Sequence, residues 1–300
     1  MISMRSSFLL PLVLSLAPIS PCLAQEKPSE AESKEVTWVK SLKFEHGEVP
    51  IGDGIAKVNV PATFKYLNPA DSSKYLTILG NPPSTVLGIL FPETSDLLSD
   101  NGWFVVLDYE KEGHVKDDDA SKIDYSELLD TMKKDSEEIN KARKTQGYPA
   151  VNIVGWATSP RYDSGTHKLY WAKELAFDGE AAHTLNYNIR MLGREGVLVA
   201  NAVGSMQDLS AIETATPEIL SMVDFTNGNR YADYNAKTDH TAEYGIAGLI
   251  AGAAGLKVAA KIGIFALIAK KFAVLWKFLL VGLLVASRFF KKLFRRKEAV

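Results

Sequence analysis

The sequence predicts an α+β domain, an antiparallel β-sheet with packed helices, followed by a C-terminal transmembrane helix or helices. Three observations predict it. Four strand-like runs succeed one another between residues 151 and 203 with only short turns between them, and links that short join antiparallel neighbours. A capped amphipathic helix precedes those runs and a second helical run follows. Beyond residue 243 the mixed, charged sequence gives way to glycine and apolar residues.

Residues 1–24 carry Arg5, an apolar core over 8–17 and a small-residue junction at Cys22-Leu23-Ala24, the pattern of a secretory signal peptide. Cleavage before Gln25 removes Cys22, the one cysteine of the chain, and with it disulfides, thiolate nucleophiles and cysteine metal sites. Residues 25–35 are polar and charged, an expected disordered lead-in. The exported domain is expected over 36–226. Its opening strands are read over 36–44 and 55–60, with Gly47 and Gly52-Asp53-Gly54 as turns. A short helix over 71–79 stops at Gly80-Asn81-Pro82-Pro83, which cannot continue helical. Strands over 85–91 and 102–110 come next, the second with Trp103, Val105, Leu107 and Tyr109 on one face.

The clearest helix starts at Asp124, which forms a capping box with Glu127, and runs to residue 146 ahead of Gly147-Tyr148-Pro149. Leu128, Leu129, Met132, Ile139 and Ala142 make its buried stripe. Strands over 151–158, 167–177, 184–192 and 196–203 follow, turning at Asp163-Ser164-Gly165, Asp178-Gly179 and Arg194-Glu195-Gly196. A split helix over 209–223, restarted at Thr216-Pro217, closes the domain. Residues 227–243 are polar and tyrosine-rich without periodicity. They read as a juxtamembrane linker whose Asn229, Arg230, Tyr231, Asp233 and Tyr234 offer an interaction surface.

Residues 244–297 are expected to be the membrane anchor. Gly245, Gly248, Gly252 and Gly255 fall on one face of a helix, a stripe suited to close helix pairing with a second copy, a membrane-protein partner or the chain's own following helix. Residues 272–290 are the best single span, long enough for the hydrocarbon core of a bilayer and flanked by Lys270, Lys271 and a basic tail. Lys277 interrupts it, and an interfacial helix is the alternative.

Charge divides the chain at the same point. Residues 25–243 hold 22 Lys and Arg against 35 Asp and Glu, net −13, whereas 244–300 hold 11 against one, net +10. An acidic domain argues against nucleic acid as a partner, because phosphate binding rests on a basic footprint. The basic tail places the C-terminus in the cytoplasm by the positive-inside rule, with the main domain periplasmic on the inner membrane of a bacterial cell. The lipid bilayer is thus the first expected partner.

The order of the blocks Gly80-Asn81-Pro82-Pro83, Asp117-Asp118-Asp119-Ala120, Gly147-Tyr148-Pro149, His167-Lys168-Leu169-Tyr170-Trp171-Ala172-Lys173-Glu174 and Gly228-Asn229-Arg230-Tyr231-Ala232-Asp233 resembles an uncharacterised bacterial family of membrane-anchored proteins, domain of unknown function 2167. That resemblance implies an exported domain tied to the inner membrane and brings no activity with it. More loosely, the succession of elements is similar to the sandwich of photosystem subunit P and Mog1.

Motifs of catalysis are missing: no Gly-x-Ser-x-Gly elbow, phosphate loop, dinucleotide glycine pattern or His-Glu-x-x-His. His46, His114, His167, His183 and His240 stand far apart and read as solvated or capping residues. Asp117, Asp119 and Ser121 resemble the start of a calcium loop, but Lys122 replaces its glycine and no glutamate closes it. Asp163, His167 and Glu174 could be offered as one site, yet His167 and Glu174 differ by an odd number along a strand and point to opposite faces. Tyr162, Tyr170, Trp171 and Tyr187 could line a groove or fill a core. No cofactor and no metal is expected. The expected function is a non-enzymatic envelope module at the membrane that binds a partner or senses. The alternative is a hydrolase or small-ligand-binding domain whose site is scattered in sequence.

Overall fold

The structure, a computed structural model, describes residues 36–79, 81, 84–98, 102–145 and 149–252. The expected signal peptide, lead-in and span over 272–290 lie outside the described residues. Strands β1 (Gly47–Ile51) and β2 (Ala56–Val60) form a hairpin. Its tip, Gly52-Asp53-Gly54, has positive φ at all three residues, which two glycines make tolerable. Next come β3 (Phe64–Leu67), α1 (Pro69–Ile78), β4 (Gly88–Pro92), β5 (Phe104–Glu110) and β6 (His114–Lys116). Then α2 (Tyr125–Thr145) leads to β7 (Val151–Asp163), β8 (Lys168–Phe177), β9 (Thr184–Leu192) and β10 (Val197–Ser205). The chain closes with α3 (Leu209–Met222), β11 (Val223–Phe225), β12 (Thr241–Gly245) and α4 (Ile246–Ala251).

Seven strands make the main sheet in the order β3-β4-β5-β10-β9-β8-β7, antiparallel throughout. A second sheet, β1-β2-β11, is also antiparallel, while β12 and β6 pair in parallel. The α+β reading with antiparallel sheets holds. Strand β7 is an end of the main sheet and carries three register shifts within its 13 residues.

Alternation assigns each face of the main sheet. Val105 and Leu107 of β5, Leu198 and Ala200 of β10, and Tyr187, Ile189 and Met191 of β9 meet Val49, Val58 and Val223 of the small sheet and Ile212 and Ile219 of α3. The opposite face has two separate apolar patches. Under α1, Tyr75 and Leu76 cover Ile89, Phe91, Phe104 and Val106, with Tyr75 edge-on to Phe91 and Phe104 at 5.4 and 5.9 Å between ring centroids. Under α2 and α4, Leu128, Met132, Ile246, Leu249 and Ile250 cover Leu169, Trp171, Leu192 and Val197.

Local chemistry explains the helices. Asn68 caps α1 by accepting from Asp71 N at 3.0 Å, and Pro69 fills the first position. The Asp124 carboxylate accepts from the N–H groups of Ser126 and Glu127 at 2.8 and 3.1 Å and so starts α2.

Several expectations are corrected. Residues 36–40 are helical and the first strand begins only at Gly47. Trp38 in that helical turn and Leu42 and Phe44 in the irregular chain after it still reach the α1 patch, so their burial does not require a strand. Ile139 is 43% exposed, and Asn140 is buried beside it, exchanging hydrogen bonds with both backbone groups of Val151 (2.9 and 2.8 Å). The far end of α2 thus satisfies the start of β7 where an apolar stripe would have left its polar groups unmet. The Ala142 side chain lies outside the described residues. Helix α3 runs unbroken through Pro217. Ile212, Thr216 and Ile219 are buried on either side of the proline, and the Thr216 hydroxyl donates to Ile212 O at 2.7 Å, so packing carries the helix past its missing N–H.

The expected anchor starts too early. Residues 241–251 belong to the domain: Ile246 is fully buried, as nearly are Leu249, Ile250 and Ala251. Among the described residues no helix is long and apolar enough to cross a membrane.

Candidate functional site

Two groupings of polar side chains stand out, one at the end of the main sheet and one on its face. The first begins with the turn before β8, where His167 holds φ +53, uncommon for a side chain larger than glycine. Tyr162 donates to Asp117 at 2.6 Å and lies 3.1 Å from His167 Nδ1, and that nitrogen is 3.4 Å from the Asp117 carboxylate. Rings then pile up: His167 on Tyr231 (3.9 Å), Tyr231 on His114 (4.2 Å), His114 on Tyr234 (3.9 Å). Burial raises the Tyr162 phenol, and its hydrogen bond to Asp117 adds to that. Burial also works against the charge on Asp117, yet the hydrogen bond from Tyr162, the neighbouring Tyr231 hydroxyl and the nearby His167 prevail and hold that carboxyl below its usual range. His114 is buried, which lowers its pKa, and the neighbouring backbone of Arg194 and Gly193 only partly offsets that.

This column fastens residues 226–240 onto the sheet. Thr226 donates to Gly54 O at 2.7 Å, Asn229 O accepts from Arg194 N at 2.9 Å, and Arg230 bridges to Gly193. Asp233 accepts from the N–H groups of Gly228 and Arg230, and Tyr231 donates to Val115 O at 3.0 Å. Arg194 grips Asp239 with two hydrogen bonds of 2.7 and 2.9 Å, which hold the Asp239 carboxyl far below the ordinary range. The five residues expected to face a partner, Asn229, Arg230, Tyr231, Asp233 and Tyr234, therefore make contacts that clasp their own domain.

The clasp continues through the glycines. Gly245 ends β12, and a Cβ there would lie 2.7 Å from both Asp119 carboxylate oxygens, which accept from Ile246 N and Ala247 N at 2.9 and 3.0 Å. A Cβ on Gly248 would meet the Tyr244 Cβ at 2.6 Å. Gly252 closes α4 at φ +67. Expected on one helix face, these three instead lie in a strand, a six-residue helix and its cap, and the close contacts of Gly245 and Gly248 are inside the domain. Gly255 lies outside the described residues.

Other sequence candidates separate. Asp163 caps its own turn through Gly165 N and Thr166 Oγ1, while Glu174 pairs with His183 at 2.5 Å, so neither joins His167. The pair Asp117 and Asp119 divides between the ring column and the α4 cap. Tyr170 and Tyr187 stack at 6.4 Å on the small-sheet side, whereas Trp171 faces the other way. A cleft of about 530 Å³ beside the β1-β2 hairpin is lined by Val49, Ile51, Tyr66 and Leu87, away from both polar groupings.

The second grouping is the floor between the two apolar patches, which sequence reasoning did not single out. Asn186, Asn188 and Arg190 of β9, Asn201 of β10, Lys173 of β8 and Asp108 of β5 share that face by register. Asn188 donates to Asn186 Oδ1 (2.9 Å), and Arg190 donates to Asn188 Oδ1 (3.3 Å) and Asn201 Oδ1 (2.9 Å) while its guanidinium lies 5.3 Å from the Trp171 ring. Burial pushes Asp108 up to about 6 and Lys173 down to about 8. The available signal was the alternation Asn-Tyr-Asn-Ile-Arg over 186–190, three polar residues on one side of a central strand.

Residues 43–286 match the model of the family described as "Protein of unknown function (DUF2167)". The chain belongs to that family. No curated protein matches it. The solution structure of cyanobacterial PsbP (CyanoP) from Synechocystis sp. PCC 6803 is similar over 70% of this chain and 100% of its own, at 10% identity and a TM-score of 0.32. So distant a likeness bears on neither fold nor function.

Proposed function

We propose that this member of the DUF2167 family is an exported binding module, non-catalytic, held at the outer face of a bacterial inner membrane by the apolar, basic segment that follows Gly252. The clasp carries the reading. Residues 226–251 are bound to the sheet by the ring column, the Arg194–Asp239 pair and the buried face of α4, so the chain is held to the domain without slack as far as Ala251. A stiff junction suits a module that passes a bound or unbound state to its tether, because a loose linker would absorb the change. Charge supports the orientation, since the acidic domain precedes a basic segment that belongs on the cytoplasmic side.

A reporter active only outside the cytoplasm, fused after Gly252 and separately after Val300, tests this. Fusion after Gly252 leaves β12 and α4 whole. Activity at the first position alone is expected; activity at both, or at neither, overturns the proposed arrangement.

A further inference from the structure

We infer that the polar floor of the main sheet binds a small oxyanion, a phosphate or carboxylate group, held by Arg190, Lys173 and the amides of Asn186 and Asn201. Arg190 is 9% exposed, and its Nη1 and Nη2 serve Ile189 O, Asn201 and Asn188, but its buried Nε meets no acceptor among the described residues. A guanidinium fork with a free edge is the geometry that carboxylates and phosphates fit. Lys173 lies opposite Asn186 on the neighbouring strand, with no acceptor for its ammonium among the described residues, and Arg190 adds like-charge repulsion to the burial that depresses its pKa. Asn186 and Asn201 accept through Oδ1, which leaves their amino groups to donate. Four donors thus share one face of the sheet.

A packing role alone leaves this unexplained. An arginine placed only to stack on Trp171 would be neutralised by a carboxylate in contact with it, yet the carboxylates whose charge reaches Arg190, Glu110 first and then Asp108, both stand on β5, separated from β9 by the whole of β10. Burial also favours the protonated form of Asp108, so it is a weak counter-charge. Nor does the chain's own C-terminal segment suit the site: residues 244–300 hold 11 cations and one carboxylate side chain, and cations would meet Arg190 and Lys173. A small anion between those two groups would relieve their repulsion and supply the missing acceptor. The site lies wholly within the domain, so it does not depend on the membrane tether.

Amine acylation of Lys173 in the full chain, with phosphatidylcholine vesicles present and ionic strength held constant with chloride, tests the inference at pH 8. Inorganic phosphate, acetate, and vesicles containing phosphatidylglycerol are the three arms, read by mass spectrometry of the Lys173 peptide. A bound anion that raises the amine by about one pKa unit cuts its neutral fraction, and its labelling, about fivefold. Saturable slowing is expected in at least one arm and is expected to vanish in Arg190→Gln. Asn186→Ala, at a part-exposed position, should weaken it too, and melting curves establish that each variant is folded. Slowing by the free anions assigns a soluble ligand, and slowing by phosphatidylglycerol alone assigns a lipid headgroup. Unchanged labelling in all three arms, or equal slowing in a folded Arg190→Gln and a folded Asn186→Ala, overturns the site.

Discussion

Replacing Ile246 by alanine asks directly whether α4 belongs to the domain or to the membrane segment. Ile246 is fully buried against a patch that includes Leu192, Val197 and Val115. Removing its larger side chain loses transfer energy and leaves a cavity, which for a buried Ile costs about 2–5 kcal/mol. Against a total stability of about 5–15 kcal/mol that is a large fraction. A domain of this size loses roughly 2–4 °C per kcal/mol, so the melting temperature should fall by about 4–20 °C. The assay is thermal unfolding of residues 36–252, followed by the fluorescence of the tryptophans, one of which, Trp171, lies in the same patch. A fall of less than about 2 °C would refute the reasoning, because an anchor that began at residue 244 would leave Ile246 outside the folded core.

Stability should also fall as the solution becomes acidic, through His114. Burial lowers its folded pKa below the unfolded value of about 6.5, so the unfolded chain binds the extra proton first and stability is lost as pH drops below that value. Charges facing it include Asp117, which opposes the shift, and His167, which adds to it. His114→Phe should flatten the change in melting temperature between pH 7.5 and 5 relative to the parent, and an equal slope in both would count against the assignment. Asp119→Ala removes both acceptors at the start of α4 and should cost about 1 kcal/mol in urea unfolding, as cap deletions do. If Asp119 served calcium instead, the parent alone would gain stability on adding calcium.

Much of the fold was legible because its periodicities were strong. The run 151–203 alternates cleanly between turn residues, and Asp124 with Glu127 announces α2, so β7 to β10 and that helix fall where expected within a few residues. Residues 226–240 carry no period, because what holds them is ring stacking, one ion pair and hydrogen bonds to partners 34 or more positions away. Composition also cannot separate an apolar helix that enters a bilayer from one that enters a core, which is why 244–251 were given to the anchor. Histidine spacing hid His114 and His167 in the same way, since only the fold brings both onto Tyr231. As for the sheet floor, alternation at 186–190 exposes the polar row to view, but whether that face meets water or helices is a tertiary fact.

Strand β7 has one further consequence. A sheet edge of 13 residues is a template on which a second polypeptide could add its own strand, a hazard that grows with concentration. Each of the three register shifts along β7 breaks the regular spacing of amide and carbonyl groups, and Pro160 removes one donor altogether. The opposite edge, β3, is only four residues long. Both margins therefore discourage strand-by-strand polymerisation, and the domain can reach high local density without its sheets fusing.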